Sequence, residues 1–122
     1  MRTHSGANIL TPQVITANVN GSGVDRSDYK GNGYLSLNTS APTGTLATLD
    51  VKIQHSDDNS TWTDSGFAFD QVVQANGASF QRKYVSLDQF KKFIRAAATV
   101  GGTSPSVVAT VTMSGQRSSY AA

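Results

Sequence analysis

Asp57, Asp58 and Asn59, inside "LDVKIQHSDDNSTW" (49–62), are the densest run of side chains that could do chemistry in this 122-residue chain. Consecutive oxygen-bearing residues raise two possibilities, a cation loop and an acid/base carboxylate pair. A calcium loop needs ligands at alternating positions, a glycine to bend the chain and a distant carboxylate to close the shell. Neither that glycine nor a closing Glu follows here, and the acidic residues are all Asp. A glycosidase pair needs two carboxyls roughly 5–9 Å apart across a cleft, whereas neighbours on a solvated tip point apart. The expectation is a turn, in which Asp and Asn bond their own backbone.

Asp25, Asp28, Asp64, Asp70 and Asp88 fall near predicted turns or strand ends, where capping and solvation are the ordinary roles of a carboxylate. The two histidines are His4, near the N-terminus, and His55, on the inward face of the 49–56 run. No second His, Cys or Glu stands at metal-ligand spacing from either. A serine nucleophile would need an elbow such as G-x-S-x-G, which "NGSGVD" does not supply. "GSG" (21–23) and "GNGY" (31–34) lack the third glycine and following helix of a dinucleotide loop. The residues therefore predict no catalytic group, no metal and no cofactor, and an enzyme is not expected.

One basic group remains: Arg82, Lys83, Lys91, Lys92 and Arg95, flanking "VSLDQF". These are expected to gather near one sheet edge. Lysines there keep sheets from pairing edge to edge, and the same residues would suit an acidic protein partner. Trp62, Tyr34 and Tyr84, with the turn aspartates, are also the types that stack on and hydrogen-bond sugars, although a core position is expected for Trp62.

The elements that must position these groups are strands. Leu49, Val51, Ile53 and His55 alternate with Asp50, Lys52, Gln54 and Ser56, the clearest period of two in the sequence. Residues 13–20 predict a first strand ended by "GSG". A turn at Gly31-Asn32-Gly33 then leads to a strand from Tyr34 with Leu35 and Leu37 on one face. "APTG" (41–44) and "QANGAS" (74–79) are turn punctuation. "TWTDSGFAFDQVV" supplies Trp62, Phe67, Phe69 and Val73 to one or two short strands, and "FQRKYVSL" is strand-like. "SLDQF" (86–90) predicts one short helical turn capped by Ser86. The last two strands, with Ile94, Ala96, Ala98 and Val100, then Val107, Ala109, Val111 and Met113 facing in, are expected to form a hairpin through "GGTSP".

Strands recurring every ten to fifteen residues, with no segment of helical period, predict an all-β antiparallel β-sandwich or barrel of jelly-roll or Ig-like type. Residues 1–12 lack periodicity and carry Pro12, which predicts an N-terminal arm. Residues 13–115 make a single domain, and 116–122 a flexible tail. A content of 38% hydrophobic and 15% charged residues is globular. Without cysteine there is neither disulfide nor thiolate zinc. No run approaches the roughly 20 apolar residues of a membrane span, and "MRTHSGANILTPQ" lacks a signal-peptide centre. No membrane is expected as a partner, and assembly in a cytoplasm is. A net charge of +2 is too small a basic excess to imply nucleic acid.

"VDRSDYKGNGYLSLNTSA", "TGTLATLDVKIQHSDDNSTWTDSGFAF" and "VSLDQFKKFIRAAATVGGTSPSVVATVTMSG" together resemble small head proteins of tailed bacteriophages. The shared pattern is a strand ending in a Q-x-S-D-D turn, a Lys-Lys-aromatic-Ile-Arg strand and a G-T-S-P connection, over about residues 14–115. The resemblance implies a virion structural protein, foremost a capsid decoration or cement protein on the capsid surface. Its implied partners are the major capsid protein and further copies of itself. The alternatives are another small head or head–tail connector or tail component, or a carbohydrate-binding module for host glycans. For the capsid reading, the expected contacts are the arm residues Arg2, His4, Ile9 and Leu10, together with Arg82, Lys83, Lys91 and Lys92.

Overall fold

The computed structural model describes residues 4–25 and 29–117. Nine antiparallel strands follow one another in chain order. They are β1 (His4–Ile15), β2 (Val19–Asn20), β3 (Val24–Asp25), β4 (Tyr29–Thr39), β5 (Thr43–Ser56), β6 (Thr63–Ala68), β7 (Val72–Val73), β8 (Ser79–Ser86) and β9 (Phe93–Arg117). The chain is all-β, as its alternation predicts, with short 3-10 turns at Gln74–Asn76 and Leu87–Gln89 and no α-helix among the described residues.

The strands form two packed sheets that share β9. Sheet A reads β1–β9–β4–β8, built on the C-terminal half of β9. Sheet B places β2 and β3 on one side of the N-terminal half of β9, and β5 followed by β6 and β7 on the other. Between them sits one core, drawn from the positions that the period of two marks as inward. Leu35, Leu37, Leu49, Val51, Ile53, Ile94, Val111 and Met113 are all essentially inaccessible. Burial of an aliphatic side chain contributes about 1.5–3 kcal/mol, which makes this core the main source of stability in a chain without disulfides. Phe67, Phe69 and Phe90 meet edge to face at 5.3 and 6.2 Å and close one end of it.

Several boundaries differ from the sequence expectation. The stretch from His4 to Pro12 is sheet rather than arm, because β1 pairs with β9 from His4↔Gln116 to Ile15↔Val107. Register shifts between Asn8 and Leu10 and between Leu10 and Gln13 break its alternation. Pro12 falls in the second of these, on an edge strand, where a missing N–H is tolerated. Gln116 and Arg117, expected in a tail, still belong to β9.

The predicted Gly31-Asn32-Gly33 turn is an irregularity inside β4, with Gly31 at φ 71°. The predicted "GGTSP" hairpin does not form. β9 runs unbroken for 25 residues and bends from one sheet into the other. Gly102 adopts φ 94° at this bend, and a Cβ there would sit 2.6 Å from the carbonyl oxygen of Leu46, so only glycine fits. The helical turn near 86–90 is present as 3-10, closed by the Phe90 N–H donating to the Leu87 carbonyl at 3.2 Å; Ser86 makes no side-chain cap.

Candidate interaction surface

The acidic tip is a turn. The Asp58 carboxylate accepts from the Ser56 hydroxyl at 2.8 Å and from the Ser60 and Thr61 N–H groups at 2.9 Å. Asn59 beside it takes φ 60°. The Thr61 N–H above all, then Ser56 and Ser60, holds the Asp58 carboxyl below the usual aspartate range. Asp57 turns the other way, its carboxylate 3.7 Å from Lys91 Nζ. Nearby, Nδ1 of half-buried His55 accepts the Lys91 N–H at 3.2 Å, and its ring meets Phe90 edge-on. Among the described residues, no cluster of three or more His, Cys, Asp or Glu is placed to hold a metal ion.

The basic residues do not gather. Arg82 and Lys83 are successive strand residues and face opposite sides of β8. Lys83 pairs with Asp70 at 3.3 Å, Lys91 with Asp57, and Lys92 lies 5.3 Å over the Phe93 ring. Arg95 stacks 4.5 Å over Trp62 and donates to Gln54 at 2.9 Å. Of the expected arm contacts, Ile9 and Leu10 are 1% exposed and belong to the core, so they cannot meet a partner. The bulge between them explains this, since it turns two neighbouring residues inward together. His4 lies on β1 opposite Gln116, and Arg2 falls outside the described residues.

The structure assembles a different set of residues. Every strongly exposed large hydrophobic among the described residues except Leu46 lies on the outer face of sheet A: Val14 (61%), Phe80 (59%), Tyr84 (77%) and Val108 (44%). Val14 faces Val108 across β1 and β9, and Phe80 and Tyr84 alternate along β8. Between the aromatic rings lies Arg82, whose guanidinium sits 4.6 Å from the Tyr34 ring centre and 5.6 Å from that of Phe80. Tyr34 meets Tyr84 edge-on at 5.8 Å. Ser36, opposite Arg82 in the ladder, is only 6% exposed, so these side chains lie down over the sheet instead of standing off it. A cleft of about 580 Å³ opens beside Tyr34 and Tyr84, rimmed by Asn32, Ser86 and Ser114.

β8 is phased against its own hydrophobicity. "FQRKYVS" offers Phe80 and Tyr84 as the obvious inward residues, yet Gln81 and Lys83 take the inward side. The segment at Asp70 recruits them. Gln81 exchanges two hydrogen bonds with the Asp70 backbone, at 2.8 and 2.9 Å, and Lys83 pairs with the Asp70 carboxylate. The one local cue is Val85, inward against the core; the groups that hold Gln81 and Lys83 inward lie ten or more residues away. Trp62, by contrast, is half-buried, with the Arg95 guanidinium over one ring face and Gly23 alongside.

With the geometry in place, the fold can be set beside solved structures. It is similar to the PBSX exported protein XepA, at TM-score 0.53 and 20% identity over 97% of this chain and 39% of XepA. It is also similar to the SPBc2 prophage-derived protein YomS, at 0.53 and 10% identity over 93% of this chain and 95% of YomS. A third likeness is the VP2 subviral particle of infectious bursal disease virus, at 0.56 and 7% identity over 93% of this chain and 32% of that one. The class defined here is an antiparallel β-sandwich of a type found in prophage-derived and viral proteins. At these identities the likeness is one of fold, and this chain spans about two fifths of the length of XepA. No protein-family description and no curated protein sequence matches the chain.

Proposed function

We propose that this chain is a virion structural protein, and within that class a capsid decoration or cement protein that binds the outer capsid surface through the outer face of sheet A. The observation that carries the reading is that face: an aromatic and aliphatic surface around one arginine, held on a rigid sandwich. Tyr, Phe and Arg on a preorganised surface are the residue types that anchor protein interfaces. The fold shared with prophage-derived and viral proteins, and the resemblance of the strand and turn sequence to phage head proteins, supply the setting.

Dimensions favour a lattice. Sheet A spans three strand spacings and about six residues between Val108 and Ser114, a platform of roughly 15 by 20 Å, or about 300 Å² in projection. A free-standing interface buries about 800 Å² per partner. A symmetric shell with many equivalent sites adds multivalency to each single-copy contact. The partners are the major capsid protein and neighbouring copies, the location is the virion surface, and no catalysis is involved. The test is co-sedimentation of purified protein with expanded capsids, and separately with tail tubes and head–tail connectors. Saturation of capsids at a fixed stoichiometry is expected; binding to tubes or connectors alone would replace this reading with a tail or connector role.

A host-glycan module is a second reading, favoured by the cleft beside Tyr34 and Tyr84 with its amide and hydroxyl rim. Trp62 lies away from that cleft, with one ring face already taken by Arg95.

A further inference from the structure

We infer that Arg82 is the anchor of the sheet A face, and that the surface it fits is a protein segment presenting a carboxylate flanked by apolar side chains. This deepens the docking role proposed above and rests on it only for the identity of the partner. Between the Val108 and Ser114 rows of that outer face, Arg82 is the sole charged residue among the described ones, its ladder neighbours there being Ser, Thr, Asn, Val, Tyr and Phe; Lys30 and His4 lie one row beyond, opposite Gln116. The contacts of Arg82 are the Tyr34 and Phe80 rings, and among the described residues no carboxylate or carbonyl accepts its N–H groups. Ring stacking engages the flat face of a guanidinium and leaves its donors free at the edge, in the fork geometry that matches a carboxylate.

Sheet B shows that this is a property of the face and not of the protein. There Arg95 also stacks on a ring, Trp62, but its Nε–H is taken by Gln54 at 2.9 Å. Lys52 is paired with Asp64, and Asp50 accepts from Gln71 at 3.0 Å. A second copy of the chain docked face to face on sheet A would set arginine against arginine, and Asp88, just beyond the end of β8, already accepts the Gly31 N–H, so self-association does not satisfy the site. The exposed apolar side chains stand at both margins of the face, Phe80 and Tyr84 on β8 and Val14 with Val108 on β1 and β9, with Ser36, Asn38, Thr110 and Thr112 between them, a spread beyond the footprint of one sugar ring that favours protein over glycan. The phase of β8 points the same way. A strand that turns Phe80 and Tyr84 outward against its own pattern breaks a local folding rule, and such breaks concentrate at functional sites.

The test uses the intact chain and two peptides, acetyl-Leu-Asp-Leu-amide and its Asn counterpart, followed by NMR. The Asp peptide should shift the Arg82 Nε–H and the ring signals of Tyr34, Phe80 and Tyr84, and bind at least about tenfold more tightly than the Asn peptide, a difference of ~1.4 kcal/mol. Arg82→Gln should abolish that preference while amide spectra report an intact fold; Arg82→Lys, which keeps charge but loses the fork, should retain only part of it. Equal binding of the two peptides, or shifts confined to sheet B, would overturn the inference. So would a sialylated trisaccharide that shifts the Tyr34 and Tyr84 rings while the Asp peptide is silent, which assigns the face to glycans. Capsids that bind wild type and Arg82→Gln equally refute the anchor and leave the decoration role standing; an Asp peptide seated on Arg82 with no capsid binding does the reverse.

Discussion

Sheet A offers solvent Phe80, Tyr84, Val14 and Val108 around a single arginine, whereas sheet B, on the far side of the same core, offers Asp50, Lys52, Asp64 and Arg95. The backbone pattern is alike in both, a broad antiparallel sheet with one face buried. On sheet B each of these groups is satisfied within the chain, through Asp50–Gln71, Lys52–Asp64 and Arg95–Gln54. Such a surface is content in water. On sheet A the apolar rings are left out and the Arg82 donors have no protein acceptor among the described residues. The contrast separates a face whose polar groups are satisfied within the chain from one that leaves apolar rings and arginine donors to solvent.

Four experiments break or sharpen that contrast. The largest effect is expected in the core that both faces share: Leu37→Ala should cost about 2–5 kcal/mol in urea unfolding, since the site is fully enclosed. A much smaller loss would mean the sheets are less tightly packed than described. Next, Tyr84→Ala should leave unfolding nearly unchanged, because the ring is mostly in solvent, yet weaken partner binding by about 2 kcal/mol or more. An equal loss of stability and binding would make the ring structural.

Third, acid should act through sheet B and the Asp58 turn. The Asp58 carboxyl is held low by Thr61, Ser56 and Ser60, and that of Asp64 by Gln54 and Lys52. A depressed folded-state pKa gives stability that is fully present above the unfolded value of about 3.9 and is lost as pH falls through the folded value. Asp58→Asn should therefore flatten part of the acid limb of the melting curve and leave neutral-pH binding intact; an unchanged acid limb would count against the turn geometry. The smallest effect belongs to the exposed sheet B pair. Lys52→Ala should move the melting temperature by less than about 2 °C and leave binding unaltered.

Much of the fold was legible because a period of two is a local signal. The inward set of β5 as far as Ile53 and that of β9 follow from it directly, as do Leu35 and Leu37; at the end of β5 the alternation slips, and Ser56, expected outward, is buried while His55 is only half-buried. β1 was not legible because its bulges destroy the alternation, burying Ile9 and Leu10 side by side. The unbroken β9 was hidden by "GGTSP", whose residues suit a reversal as well as a bend; only the close approach of Gly102 to the Leu46 carbonyl decides between them. Of the candidate surface, Tyr34, Arg82 and Tyr84 stood out by type, but their union did not, since it depends on the Asp70 segment fixing the phase of β8. The basic group failed as a cluster because strand alternation sends neighbours to opposite sides.

The shared strand has a mechanical consequence. Because β9 lies in the interior of both sheets, force applied to one broad side travels to the other along covalent backbone, without crossing a flexible linker. A load on the Tyr84 side thus has a continuous backbone route to the Lys52 side through the bend at Gly102.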